Sequence, residues 1–427
     1  MFQLRPLRRR LATCILLAVN ALAVGAAFAV PAHAWQGFER GINIVKPFNL
    51  PTFDGDGPLE LPFTAPTATV SDDELRRLEA VGFDHVRLPI ATSVFIEAGA
   101  QARETLDRDL EAFIERLHAA GLNVLIDPHP MPYIPGWAPW DTLTALDAPK
   151  YRAYRDYLLD LAALASSRPE GTAVLGLMNE PQRECLREDG AIDWTVFQRD
   201  LYDTVRAAAP DLPLVLTGGC WSSTRGLEHL DPAPFDANTL IDVHVYDPYA
   251  FTHQSASFAI EPFRSAAGLP YPIETGGLVA SVGASKRLWK ERSENGEPWP
   301  DEGAVRRQLI DYHTREKPDR EMIEDRFREI ASWADEHGVE PSRIYIGEFG
   351  AFRAPEPLTA AHAPHRLRWL QDVREVAEGL GYGWAHWEYT SPFGIVADVD
   401  TREFDSPTIK ALGLEPMGPA VSAGADG

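Results

Sequence analysis

Short runs of β-branched and apolar residues recur along this chain, each followed by a loop and then by a longer stretch whose apolar positions return every three or four residues. Eight such runs stand out, at 41–45, 85–90, 123–127, 172–178, 212–217, 240–246, 343–347 and 382–387. Several are apolar almost throughout, as strands covered on both faces must be, and a helical pattern follows seven of the eight. Some helix ends are explicit. Ser71, Asp72, Asp73 and Glu74 form a capping box ahead of a helix over 75–80 that Gly82 closes, and the helix over 106–120 ends at Gly121. Helical spacing returns at 149–164, 194–209, 320–336 and 365–380. Alternating strands and helices admit an open doubly wound sheet or a closed barrel. Eight units favour the barrel, an α/β fold of the (β/α)8 TIM type with extended βα loops. An open dinucleotide-binding sheet would need a Gly-rich turn after its first strand, where Ile44, Val45, Lys46 and Pro47 stand instead.

A minimal barrel takes about 250 residues, so the excess must lie in loops. Most of it falls between Tyr246 and Arg343, and the 249–316 excursion in particular has the length of a lid or binding loop. Residues 35–413 read as one catalytic domain, and 414–427, small and rich in Gly, Ala and Pro, as a disordered tail. Ahead of the domain, Arg5, Arg8, Arg9 and Arg10 precede an apolar run over 11–30, and Ala32, His33 and Ala34 supply the small-x-small pattern of a signal-peptidase site. Residues 1–34 are therefore expected to be a signal peptide, giving a secreted or periplasmic monomer that starts at Trp35 and has no stable membrane association after cleavage.

Charge narrows the partners. The chain has 63 acidic and 40 basic residues, a formal −23, and losing four arginines with the leader makes it −27. Such a surface repels a phosphate backbone, so no nucleic-acid partner is expected. An exported enzyme cannot rely on ATP or nicotinamide cofactors, which favours hydrolysis. Of three cysteines, Cys185 and Cys220 follow the fourth and fifth strands, neighbours in a barrel, and are candidates for a disulfide between those loops.

Chemistry in such barrels gathers where strands end and βα loops begin. Arg87 ends the second strand, His129 the third, Asn179 and Glu180 the fourth, His244 and Tyr246 the sixth, Glu348 the seventh and Trp387 the eighth. Glu180 and Glu348 thus face each other across the barrel mouth. Two opposed carboxylic acids suit acetal cleavage, where one protonates the leaving oxygen and the other attacks or screens the oxocarbenium ion. Arg87 can bond the nucleophilic carboxylate and keep it ionised, and Tyr246 can donate to it. Asn179 can hold a sugar hydroxyl, and His129 and His244 can bind hydroxyls or orient the acid. Trp387, Trp137 and Trp140 after the third strand, and Trp221 after the fifth, are candidate sugar platforms. Trp333 and Trp369 fall on helices and are expected in the core, while Trp289 and Trp299 in the excursion carry no assignment.

With these pieces in order, from Arg40-Gly41-Ile42-Asn43 through Asn179-Glu180-Pro181 and His244-Val245-Tyr246 to Glu348-Phe349-Gly350 and Trp387, the mature chain resembles glycoside hydrolase family 5, the cellulase-like retaining β-glycosidases. The resemblance implies Glu180 as acid/base, Glu348 as nucleophile and no metal or cofactor. It also implies a β-linked oligo- or polysaccharide substrate, with a β-1,4-glucan first and a mannan, a β-1,3-glucan or a simple glycoside behind it. The chain departs from the family where Pro128 and Pro130 flank His129 in place of a His-His pattern, and in its long excursion. A retaining mechanism predicts carboxyl groups about 5 to 5.5 Å apart. Two other classes stand against this reading: a metal-dependent barrel hydrolase using Asp127, His129 and His244, and a non-catalytic sugar-binding barrel.

Overall fold

The Ser71 capping box opens its helix as its sequence requires. Ser71 Oγ accepts from the Glu74 amide, the Glu74 carboxylate accepts from the Ser71 amide, and Gly82 ends the helix in a left-handed conformation (φ 109°). That helix, Asp72–Val81, is one of the outer ring in a computed structural model that describes residues 35–49, 52–54, 57–60, 69–131, 134–182, 185, 192–353, 363–398 and 400–415. Eight parallel strands form the inner ring: β1 (Arg40–Asn43), β2 (His85–Ala91), β3 (Asn123–His129), β4 (Ala173–Gly176), β5 (Leu214–Thr217), β6 (Thr239–His244), β7 (Ile344–Phe349) and β8 (Gly383–His386). Each strand pairs with the next, and β8 pairs with β1, so the sheet closes into the expected (β/α)8 barrel.

Strand alternation sorts the side chains into two cores. Leu125, Val174, Val215, Leu240, Tyr345 and Ala385 point inward and, with Trp35 and Phe38, fill the lower barrel. Their neighbours Val124, Ile126, Leu175, Leu214, Leu216, Ile241, Ile344 and Ile346 face outward into the main core shared with the helices. Trp333 and Trp369 are buried there, as their helical positions imply. Above the inner apolar layer the same inward parity brings up Asp127 and His129 on β3 and Asp242 and His244 on β6, so the mouth is polar because the next inward residues are polar.

Strand β7 breaks parity in a way that matters. Asp242 pairs with Tyr345 and His244 with Glu348, so β7 spends three residues where β6 spends two. The β8 side shows the same slip, Trp384 pairing with Ile346 and His386 with Phe349. This bulge leaves Phe349 in the outer core and places Glu348 opposite His244. Gly347 at the bulge has no room for a side chain: an added Cβ would lie 2.4 Å from an Asp242 carboxylate oxygen, which instead accepts the Gly347 N–H at 2.8 Å.

The excursion after β6 is largely helical, with Leu278–Glu294 and Glu302–Asp311 as its main elements. It is anchored to the barrel by Tyr271, whose hydroxyl donates to Asp372 at 3.0 Å, and internally by the Tyr312 hydroxyl on the Pro270 carbonyl. Leu414, assigned to the tail by composition, is buried, and the Glu415 amide donates to the Val81 carbonyl at 3.1 Å. Residues 1–34, expected to be a leader, and residues 416–427 lie outside the described residues. Among the described residues, no helix is long and apolar enough to cross a membrane.

Candidate active site

Glu348 is buried on the inward side of the β7 bulge. Its Oε1 accepts from Arg87 Nη1 at 2.8 Å, and its Oε2 accepts from the Tyr246 hydroxyl at 2.9 Å. Burial pushes this carboxyl above its ordinary range, while the charges of His244 and Arg87 pull it back toward ionisation. Glu180 stands just beyond β4 with a left-handed backbone (φ 46°), a strained setting for a residue with a Cβ. Its side chain is about one-third exposed, and its Oε1 lies 2.9 Å from His244 Nδ1.

His244 links the two acids. Its Nδ1 also lies 3.6 Å from Glu348 Oε2, and its Nε2 lies 3.4 Å from Asp242 Oδ2. Burial opposes its charge, but Glu348, Asp242 and Glu180 outweigh burial and push the imidazole up to about 10. The carboxylates around it thus favour the protonated imidazole. One atom from each of Glu180, His244 and Glu348 fall within 4.8 Å of one another.

Beneath them Arg87 is fully buried, and both of its terminal nitrogens are engaged. Nη1 also donates to Asn43 Oδ1 at 2.9 Å, and Nη2 donates to Asn179 Oδ1 at 2.8 Å, pairs ionically with Asp127 Oδ2 at 2.9 Å and lies 3.3 Å from His244 Nε2. Burial works against the guanidinium charge, but Asp127, Glu348 and Asp242 raise its pKa further still. Burial alone would raise the Asp127 carboxyl, yet Arg87 and His129 hold it below the usual carboxylate range. With its oxygen held by Arg87, Asn179 has its amide N–H groups to offer a substrate. His129 is hydrogen-bonded to Asp127 through Nε2, and its Nδ1 faces Asn49 Nδ2 at 3.4 Å. Both nitrogens are engaged inside the protein, and Trp387 lies parallel to the ring at 6.2 Å with 9° between the planes. His129 thus backs the tryptophan.

The metal-site arrangement of Asp127, His129 and His244 does not form. Asp127 is shared between His129 and Arg87, whose fixed positive charge lies against it, and His244 Nε2 lies 3.3 Å from Arg87 Nη2. The tryptophans divide by exposure. Trp140 (52 %) and Trp221 (36 %) are open to solvent and Trp387 is half-buried, packed beside Phe352 and Phe393. Trp137 is a correction: at 2 % exposure it is a packing residue, its indole N–H donating to Glu97 at 2.8 Å. Cys185 and Cys220 are disulfide-bonded, with Cα atoms 5.0 Å apart.

Three polar residues of the network were not anticipated: Asn43, Asn49 and Asp242. Asp242 had a usable signal, since it lies two residues before His244 on one strand and so shares its face. Asn43 sits at the end of β1, paired with Arg87 across the strands. Asn49 lies in the β1 loop and carries no pattern that marks it.

Residues 46–392 match the family described as Cellulase (glycosyl hydrolase family 5). Similar proteins include Endoglucanase 3 of Fibrobacter succinogenes, 23% identical over 344 residues that cover 77% of this chain and 47% of that protein. Endoglucanase C of Acetivibrio thermocellus is 22% identical over 327 residues, 75% of this chain and 84% of that one. The chain thus spans about half the length of the first of these relatives and most of the second. Among solved structures, an endoglucanase superposes with a TM-score of 0.63 at 21% identity, covering 89% of this chain and 98% of the other. Thermotoga maritima Cel5A in complex with mannotriose does so at 0.61 and 20%, again over 89% and 98%. These likenesses extend the fold across nearly all the described barrel, and the family match runs from the β1 loop to just beyond β8: the chain belongs to glycosyl hydrolase family 5, the cellulase family.

Proposed function

We propose that the protein is a retaining β-glycanase acting by double displacement, and that its substrate is a β-1,4-glucan cleaved internally. The observation that carries this reading is the convergence of one Glu180 oxygen and one Glu348 oxygen on His244, within 4.8 Å. Retaining pairs stand about 5 to 5.5 Å apart, whereas inverting pairs need roughly 6.5 to 9.5 Å to admit a water between them. Glu348, gripped by Arg87 and Tyr246, is the nucleophile: its position is fixed and two donors favour its anion. Glu180, the more exposed of the two, is the acid/base and exchanges its proton with the leaving group and then with water. His244 aims it through the 2.9 Å contact from Nδ1, and the surrounding carboxylates favour the protonated imidazole over a competing base. Trp387, Trp140 and Trp221 offer ring faces to sugars. The printed names of the relatives, endoglucanases, and a neighbour solved with both mannotriose and cellobiose support a β-linked hexose chain, with β-mannan as the second substrate. The leader motif supports export, and N-terminal sequencing of the exported product should begin at Trp35.

The test is a panel of β-glucans, mannans and xyloglucan scored by product size and by the anomer first released. Shortened glucan chains released as the β-anomer are expected from wild type, and none from Glu180→Gln or Glu348→Gln. Release of the α-anomer, or undiminished turnover by either variant, would defeat the proposal.

A further inference from the structure

Three consecutive residues after β5, Cys220, Trp221 and Ser222, hold left-handed backbone angles (φ 55°, 58° and 55°), and none is glycine. Each such residue costs on the order of 1 kcal/mol, so a run of three persists only where its surroundings over-determine it. Four ties do this. The Trp221 N–H donates to the carbonyl of Pro181, the residue after Glu180, at 3.1 Å. The Ser222 carbonyl accepts the His244 N–H at 2.8 Å, and Ser223 Oγ donates to the Cys220 carbonyl at 2.7 Å. The fourth tie is covalent, the bond from Cys220 to Cys185 in the loop that follows Glu180. Between the buried Cys220 and Ser222, Trp221 alone is turned out to solvent.

Position gives this run a role. Trp387 belongs to the nucleophile's side of the mouth, its N–H donating to the carbonyl of Phe349, the neighbour of Glu348, at 2.9 Å. Trp221 belongs to the acid's side, fastened to the residue next to Glu180. On this placement a sugar chain lying across both acids would meet Trp387 with the ring under attack and Trp221 with the ring that departs.

We propose that the Cys185–Cys220 bond is a positioning element that holds Trp221 in the orientation that seats the leaving-group sugar beside Glu180. The inference rests on the glycosidase reading above and adds that recognition of the departing ring is redox-dependent. The disulfide touches no reacting atom and acts through the indole. A dithiol reductant would convert it to two thiols while closing to its own cyclic disulfide, leaving only hydrogen bonds to hold the strained run.

The test compares wild type, Cys185→Ser/Cys220→Ser, Trp221→Ala and the triple variant on two substrates: cellopentaose, and β-cellobiosyl fluoride, whose leaving group has no ring to seat. Wild-type turnover of both substrates checks the glycosidase reading separately. In the serine pair, kcat/KM for cellopentaose should fall about tenfold, mostly through KM, because a small misplacement of a positioning group costs one to two orders of magnitude. Turnover of the fluoride should stay within about twofold, and adding the serine pair to Trp221→Ala should change nothing further, as expected when two changes act through one group. Should the serine pair fail to fold, dithiol reduction of folded wild type supplies the same two-substrate readout. Equal losses on both substrates, an unchanged ratio, or additive losses in the triple variant would overturn the proposal.

Discussion

Replacing His244 with Asn removes a cation from among Glu180, Glu348 and Asp242, and the consequence is a change in how stability depends on pH. The imidazole titrates near 10 in the folded protein against an ordinary 6.5, a gap that corresponds to roughly 5 kcal/mol at about 1.4 kcal/mol per pH unit. This is a ceiling, because burial raises Glu348 toward the neutral form, and a neutral Glu348 attracts the imidazolium less. The sign follows from the raised value. The folded state holds a proton that the unfolded state has released, so the contribution is fully present below pH 6.5 and is lost as pH rises through 10. Wild type should therefore lose stability between pH 6.5 and 10 at up to about 1.4 kcal/mol per unit more steeply than His244→Asn. Urea unfolding of both proteins at pH 6, 8 and 9.5 measures this, since titrations remote from His244 cancel in the difference. The wild-type advantage should be greatest at pH 6 and shrink toward a constant packing offset near pH 10. A gap that is flat across this range, or that widens with pH, would refute a charged His244.

Two further outcomes separate chemistry from packing. Tyr246→Phe deletes the donor that meets Glu348 at 2.9 Å; a hydrogen bond to a charged group contributes about 1.5 to 3 kcal/mol, so kcat/KM should fall about 10- to 100-fold while the melting temperature barely moves. Trp137→Phe should lower the melting temperature and leave KM unchanged, because it loses the Glu97 bond and core contact. Trp140→Ala should do the reverse, raising KM for a polymer with no change in melting temperature; the opposite pattern in either variant would contradict these assignments.

The barrel was legible because most β/α units announce themselves twice, by an apolar strand and by an amphipathic helix after it. Glu180, Glu348, Arg87, Tyr246 and His244 were legible as polar residues at strand ends, where an apolar run stops at the polar mouth. What stayed hidden depended on contacts distant in sequence. Nothing in Ile346-Gly347-Glu348-Phe349 reveals the bulge that places Glu348 opposite His244, since strict alternation would put Gly347 and Phe349 on the inward face. Trp137 and Trp140 lie three residues apart in one loop, and only the fold around Glu97 decides that the first is buried. His129 looked like a ligand for hydroxyls until Asp127 and Asn49, one on its own strand and one far upstream, were seen to occupy both its nitrogens. The helices at Leu278–Glu294 and Glu302–Asp311 were missed because Pro, Gly and aromatic residues around them read as loop.

The central claim is that Glu348 forms a glycosyl ester with the substrate while Glu180 manages the proton. Incubation with an activated 2-deoxy-2-fluoro-β-cellobioside, whose electron-poor ring forms the ester faster than it loses it, followed by peptide mapping by mass spectrometry, tests it most directly. One fluorosugar attached at Glu348, absent from Glu348→Gln, is the predicted result. An active enzyme that yields no adduct, or one carrying the sugar on any other residue, would contradict it.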